Sequence, residues 1–85
     1  MVDKQSLSTD APVTEVAELW KSVLKRKDVP HDVPFPELGG DSLLLIALLT
    51  EIEDEFDVYL EAEDILDDLT VDGIARVIAR KRASA

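Results

Sequence analysis

Apolar side chains recur along this chain with the 3.6-residue period of α-helices, and no stretch shows the two-residue alternation of a strand. Val16, Trp20, Val23 and Leu24 fall at i, i+4, i+7 and i+8, which predicts a first helix over about 14–27 with Trp20 in its core face. Lys25, Arg26 and Lys27 gather at its end, where the helix dipole favours cations. A second helix is expected from Asp41 or Ser42 to about Asp57. At about 100° per residue, Leu45, Leu48, Leu49, Ile52 and Phe56 share one sector, read as its core face. Leu43, Leu44, Ile46 and Ala47 lie outside that sector and are equally apolar. A bundle this small cannot bury every side of one helix, so the second face is expected to meet a partner.

The stretch 61–66 predicts a short third helix. Thr70 then caps a fourth, whose core face is Val71, Ile74, Val77 and Ile78 and which ends near Arg82. The expected fold class is all-α: a small four-helix bundle of three longer helices and one short third helix. Between the first two helices, 28–40 holds Pro30, Pro34 and Pro36, which forbid a regular helix. A connection that long needs pinning to the core, and Phe35 and Leu38 are the anchors to expect. Residues 1–12 are polar and unpatterned and read as a flexible N-terminal tail, leaving 13–85 as the domain.

Composition narrows the function. Eighty-five residues make one small domain, with room for a core but not for an enclosed substrate cavity as well. There is no cysteine, which excludes disulfides, thiolate nucleophiles and sulfur metal sites. No signal-type apolar stretch opens the sequence, and the longest apolar run, 43–49, is far below a membrane span. A cytoplasmic, monomeric protein is expected. The net charge is −10, unevenly spread: fifteen Asp and Glu and no Lys or Arg occur from Asp28 to Asp72. That half argues against nucleic acid and anionic membranes and suits partners that present Arg and Lys.

The candidate chemistry sits at Leu38-Gly39-Gly40-Asp41-Ser42-Leu43. Adjacent glycines allow positive φ and the close approach of another molecule. Asp41 and Ser42 are both good N-caps, so Ser42 is expected at a helix N-terminus with its hydroxyl accessible. A nucleophile elbow is not met, because Leu44 stands where its second glycine belongs. The only histidine, His31, lies in the proline-rich loop and reads as a surface residue rather than a base for Ser42. Asp64, Asp67, Asp68 and Asp72 do not have calcium-loop spacing, and Gly73 is at the wrong offset. Weak, nonspecific divalent binding is all they predict, with no metal site and no catalytic residue.

LGGDSL followed by a long helix resembles the attachment site of phosphopantetheine-dependent carrier proteins, the peptidyl and acyl carrier family. The resemblance extends over about 13–82, in the order of helices as well as the motif. It implies the acyl-carrier-protein type of bundle and a 4′-phosphopantetheine esterified to Ser42, flanked by Gly40, Asp41 and Leu43. A phosphodiester there would face free N–H groups and the positive end of the helix dipole. EIEDEFDV at 51–58 is similar to acyl carriers of fatty-acid and polyketide synthesis, and 38–49 to the peptidyl carriers of nonribosomal peptide synthesis. Leu44, Leu45 and Ala47 depart from the polar residues frequent in fatty-acid carriers, which argues against that role. The expected form is a discrete, free-standing carrier, with a domain excised from a larger synthase as the alternative.

The resemblance further implies that the protein is not an enzyme. It would tether an aminoacyl, peptidyl or acyl intermediate as a thioester on its arm, in nonribosomal peptide or polyketide-type biosynthesis. Its partners would be a phosphopantetheinyl transferase, a loading enzyme of adenylation or acyltransferase type, and downstream condensing or tailoring enzymes. Leu43, Leu44, Ile46 and Ala47, with Glu51 and Asp54 at the rim, are the expected partner contacts. The alternative is an unmodified acidic helical adaptor that binds through the same face. Only the Gly-Gly-Asp-Ser turn separates the two, since an adaptor has no use for a permissive backbone beside a serine.

Overall fold

The computed structural model describes residues 11–84. They form four helices, α1 (Val13–Leu24), α2 (Ser42–Phe56), α3 (Ala62–Ile65) and α4 (Val71–Ser84), with 3-10 turns at Phe35–Leu38 and Leu66–Asp68. No strand occurs among the described residues. The three longer helices have 12, 15 and 14 residues and the short one 4, in the order the sequence predicts. Most of the expected tail lies outside the described residues. Its last two, Ala11 and Pro12, pack onto the domain, and the Pro12 carbonyl accepts the Val16 N–H at 3.0 Å.

Helix α1 lies against both α2 and α4, and the core forms where the three meet. Val16, Ala17 and Trp20 of α1, Leu48 and Ile52 of α2, and Val71, Ile74, Ala75, Val77 and Ile78 of α4 are buried there. Val23 and Leu24 are only partly buried at its edge. The α1 helix stops at Leu24, three residues short of expectation. Lys25 turns into the left-handed region (φ 56°, ψ 47°), and the N–H groups of Lys25 and Arg26 both point back to the Lys21 carbonyl. Both bonds fall on that one carbonyl and close the last turn around the left-handed residue, and the prolines beyond prevent resumption.

The proline-rich connection is pinned through Phe35, which is 1% exposed, while Leu38 is partly buried. It also carries one 3-10 turn, a short element that prolines at its start tolerate. The connection crosses the beginning of α4: the Phe35 N–H donates to the Leu69 carbonyl at 2.9 Å, and the Asp72 N–H to that of His31 at 3.1 Å. Thr70 caps α4 as expected, its Oγ1 accepting the Gly73 N–H at 2.9 Å.

Helix α3 is shorter than 61–66 and passes straight into the 3-10 turn that ends at Asp68. Ile65 plugs it into the core, and ion pairs tie it to α4. Asp64 pairs with Lys81 at 3.2 Å and accepts the Glu61 N–H at 2.9 Å, while Asp68 pairs with Arg76 and accepts the Thr70 hydroxyl at 2.8 Å. The bond from Glu61 N–H, then Lys81, holds the Asp64 carboxyl below its usual range, whereas hydrogen bonding and repulsion from Glu63 push Glu61 up. The acidic half of the sequence is thus partly neutralised by basic residues that lie beyond it in the chain but beside it in space.

Candidate functional site

The turn before α2 assigns its two glycines different tasks. Gly39 has φ +96°, with its N–H on the Pro36 carbonyl at 3.2 Å, and nothing would stand within 4 Å of a Cβ there. It is glycine for its backbone conformation. Gly40 has no positive φ, but a Cβ on it would fall 2.2 Å from the Phe35 ring. The close approach expected of a second molecule is therefore made within the chain, by Phe35.

Asp41 alone is the N-cap. Its backbone is extended, its Oδ1 accepts the Leu44 N–H at 2.9 Å, and its carbonyl accepts the Leu45 N–H at 2.8 Å. Ser42 is thereby the first residue inside the helix and is exposed. Its hydroxyl and the amides of Ser42 and Leu43 make no hydrogen bond among the described residues. A serine oxygen open to solvent, beside two uncommitted N–H donors at the positive end of a 15-residue helix, is suited to carry a phosphodiester. His31 is exposed, and among the described residues only its backbone forms a hydrogen bond. It offers Ser42 no base. No three acids or histidines converge as ion ligands among the described residues, and Asp64 and Asp68 are engaged by Lys81 and Arg76 instead.

The outer face of α2 divides the expected contact residues. Leu43 is 77% exposed, Ile46 is 61% exposed, and Ala47, Glu51 and Asp54 are exposed as well. Leu44 is the correction: it is partly buried and packs against the core, one turn before the fully buried Leu48. Thr50 joins the outer face and was missed by reading apolar positions only. It follows Ile46 by four and Ala47 by three, and its hydroxyl is turned back onto the Ile46 carbonyl at 3.0 Å.

The family model described as "Phosphopantetheine attachment site" matches residues 14–78, from the first turns of α1 to the core of α4. The chain belongs to this family. It is a carrier domain, and its prosthetic group is phosphopantetheine. It is 37% identical over 78 residues to a subunit of plipastatin synthase from Bacillus subtilis (strain 168), an alignment that covers 89% of this carrier and 3% of that protein. It is 43% identical over 61 residues to pyochelin synthetase PchE of Pseudomonas aeruginosa (strain UCBPP-PA14), covering 72% of the carrier and 4% of the synthetase. The carrier thus spans a small fraction of the length of these relatives. Among solved structures, the complex of the phosphopantetheine transferase Sfp with coenzyme A and a peptidyl carrier protein contains a similar chain. The TM-score is 0.78 at 24% identity, covering 84% of this carrier and 92% of that chain, a likeness of fold.

Proposed function

We propose that Ser42 is the attachment point of the phosphopantetheine, and that the carrier serves nonribosomal peptide or polyketide-type biosynthesis without catalysing a reaction itself. The observation that carries the assignment is the exposed Ser42 hydroxyl at the first position of α2, beside two N–H groups with no other acceptor among the described residues. The names of relatives, a nonribosomal peptide synthetase of Aspergillus flavus and a hybrid PKS-NRPS synthetase of Botryobasidium botryosum among them, support the pathway class. When bound, the group supplies a thiol on a long arm, which holds an acyl, aminoacyl or peptidyl cargo as a thioester. In attachment, Ser42 Oγ forms a bond to the phosphorus bearing the pantetheine of coenzyme A. The bond from that phosphorus to the adenosine bisphosphate breaks, and the hydroxyl proton passes to a base of the transferase.

The partners that follow are a phosphopantetheinyl transferase, a loading enzyme of adenylation or acyltransferase type, and condensing or tailoring enzymes. Because they act at Ser42, they dock beside it, over Leu43, Ile46 and Ala47 with Thr50, Glu51 and Asp54 at the margin. Among the described residues no helix is long and apolar enough to cross a membrane. The need for coenzyme A as donor supports a cytoplasmic location. Intact-mass analysis after incubation with coenzyme A and a broad-specificity transferase tests the assignment. One phosphopantetheine is expected on Ser42 and none on Ser42→Ala. Modification of Ser6, Ser8, Ser22 or Ser84, or of the alanine variant, would overturn it, and an unmodified wild type would favour the adaptor.

A further inference from the structure

Helix α2 does not by itself fix the turn that delivers Ser42. One side chain, Phe35, reaches that turn from below. Its ring lies so close to residue 40 that a Cβ there would stand 2.2 Å from Cδ2 and 2.3 Å from Cε2. Its carbonyl accepts the Gly40 N–H at 3.0 Å, and its own N–H donates to Leu69, in the segment leading into α4. On the other side the ring meets Trp20 of α1, with centroids 5.0 Å apart and planes at 81°. The attachment turn, α1 and the start of α4 therefore converge on one residue, seven positions before Ser42 in the chain.

We propose that Phe35 is a positioning residue for Ser42, and that residue 40 is glycine in order to receive its ring. The inference rests on Ser42 being the attachment point. Asp41 starts the helix but holds only residues that follow it. Before it in the chain, Gly39 sits in a left-handed conformation with no atom near its Cβ position, held only through its N–H on carbonyls of the 3-10 turn, so no side-chain packing resists its pivoting. Between them, Gly40 is fixed by the ring and carbonyl of Phe35. Without that wedge the turn can swing while α2 persists, and Ser42 Oγ loses its place relative to the rest of the docking face. Misplacement of a reacting atom by about 1 Å can cost as much as a hundredfold in rate.

The geometry separates positioning from docking. Phe35 is buried and leaves no surface for a partner to touch, so Phe35→Ala should lower kcat for phosphopantetheine transfer about ten- to a hundredfold while leaving KM for the carrier near wild type. Phe35→Leu, which retains apolar bulk, is read in its place if the alanine variant does not fold. Ile78→Ala, in the second half of α4 and fully buried, controls for lost stability at a temperature where circular dichroism shows each variant folded. Gly40→Ala probes the same contact from the other side. It should slow transfer in the wild type and cost far less once Phe35 is truncated, since the three atoms nearest the new methyl all belong to that ring. A kcat for the Phe35 variant equal to that of Ile78→Ala, or a Gly40→Ala cost unchanged by truncating Phe35, would overturn the proposal. If the wild type takes no group on Ser42, the attachment assignment itself fails.

Discussion

Replacing Ile46 by aspartate tests whether the outer face of α2 is a docking surface or a loosely packed part of the core. Ile46 is 61% exposed and lies one turn beyond Ser42, beside Leu43, which is 77% exposed. Full burial of such a side chain stabilises by about 1.5–3 kcal/mol, so a partner covering the exposed part of Ile46 would gain about 1–2 kcal/mol. That corresponds to a roughly 5- to 30-fold rise in KM or Kd when the side chain is removed. A new carboxylate that must be desolvated at the contact pushes the effect to the upper end. In the free carrier the same change meets water, and its effect on stability should stay within about 0.5 kcal/mol, the ordinary range for surface substitutions.

The assay is steady-state transfer of phosphopantetheine with the carrier as varied substrate, alongside thermal melts by circular dichroism. Ile52→Asp is the contrasting variant, because Ile52 is fully buried and a carboxylate there should abolish folding. Ile46→Asp should melt close to wild type and show the raised KM with little change in kcat. A melting temperature lowered as far as in a core variant, or a KM equal to wild type with the transferase and a cognate loading enzyme, would refute the docking role.

Two further outcomes follow from the α3–α4 junction. Gly73→Ala should destabilise although alanine is the better helix former by about 1 kcal/mol, because the new Cβ would meet the Asp68 carbonyl oxygen at 2.1 Å. Overpacking of this kind costs about 1–3 kcal/mol, or roughly 4–8 °C in melting temperature for each kcal/mol, and a melt at or above wild type would refute it. The pH profile should carry two opposed contributions. Glu61, with its carboxyl raised by Glu63, binds its proton more tightly when folded, so stability rises as pH falls from neutrality through that raised value. Asp64, lowered by the Glu61 N–H and Lys81, stabilises above the ordinary aspartate range, and that contribution is lost as pH falls through its folded value. Melts across pH should therefore show a mildly acidic maximum, flattened on its neutral side in Glu61→Gln and losing part of its acid limb in Asp64→Asn. Variants with the wild-type profile would refute the assignment.

Most of the fold was legible because each long helix declares itself twice, by apolar spacing and by its ends. The face Val71, Ile74, Val77 and Ile78 is buried as the period requires, and Thr70 caps as its residue type suggests. What local pattern could not show was set by contacts distant in sequence. The end of α1 depends on Lys25 accepting a left-handed conformation, which a run of three basic residues does not advertise. The acid-rich stretch looked uncompensated because Arg76 and Lys81, its partners, come later in the chain. Gly40 looked like an opening for another molecule because nothing in its neighbours' identities reveals a ring folded back from Phe35.

At the proposed site, the motif points to Ser42 while the helix phase decides what surrounds it, and only the first can be read without a structure. In α2 the apolar residues continue past the core face, so spacing alone leaves the centre of that face free to rotate. The buried arc centres on Leu48 and Ile52, flanked by Leu44 on one side and Leu45 and Leu49 on the other. That is about 30° toward Leu44 from the sector the sequence suggests, at 100° per residue. The rotation withdraws Leu44 from the outer face, while Leu43, Ile46, Ala47 and the polar Thr50 stay outside under either phase. The three apolar residues therefore carry the docking argument without depending on the choice of phase. Leu44→Asp serves as its internal check: a carboxylate at this half-buried position should cost stability that Ile46→Asp does not, although both residues looked equivalent in sequence.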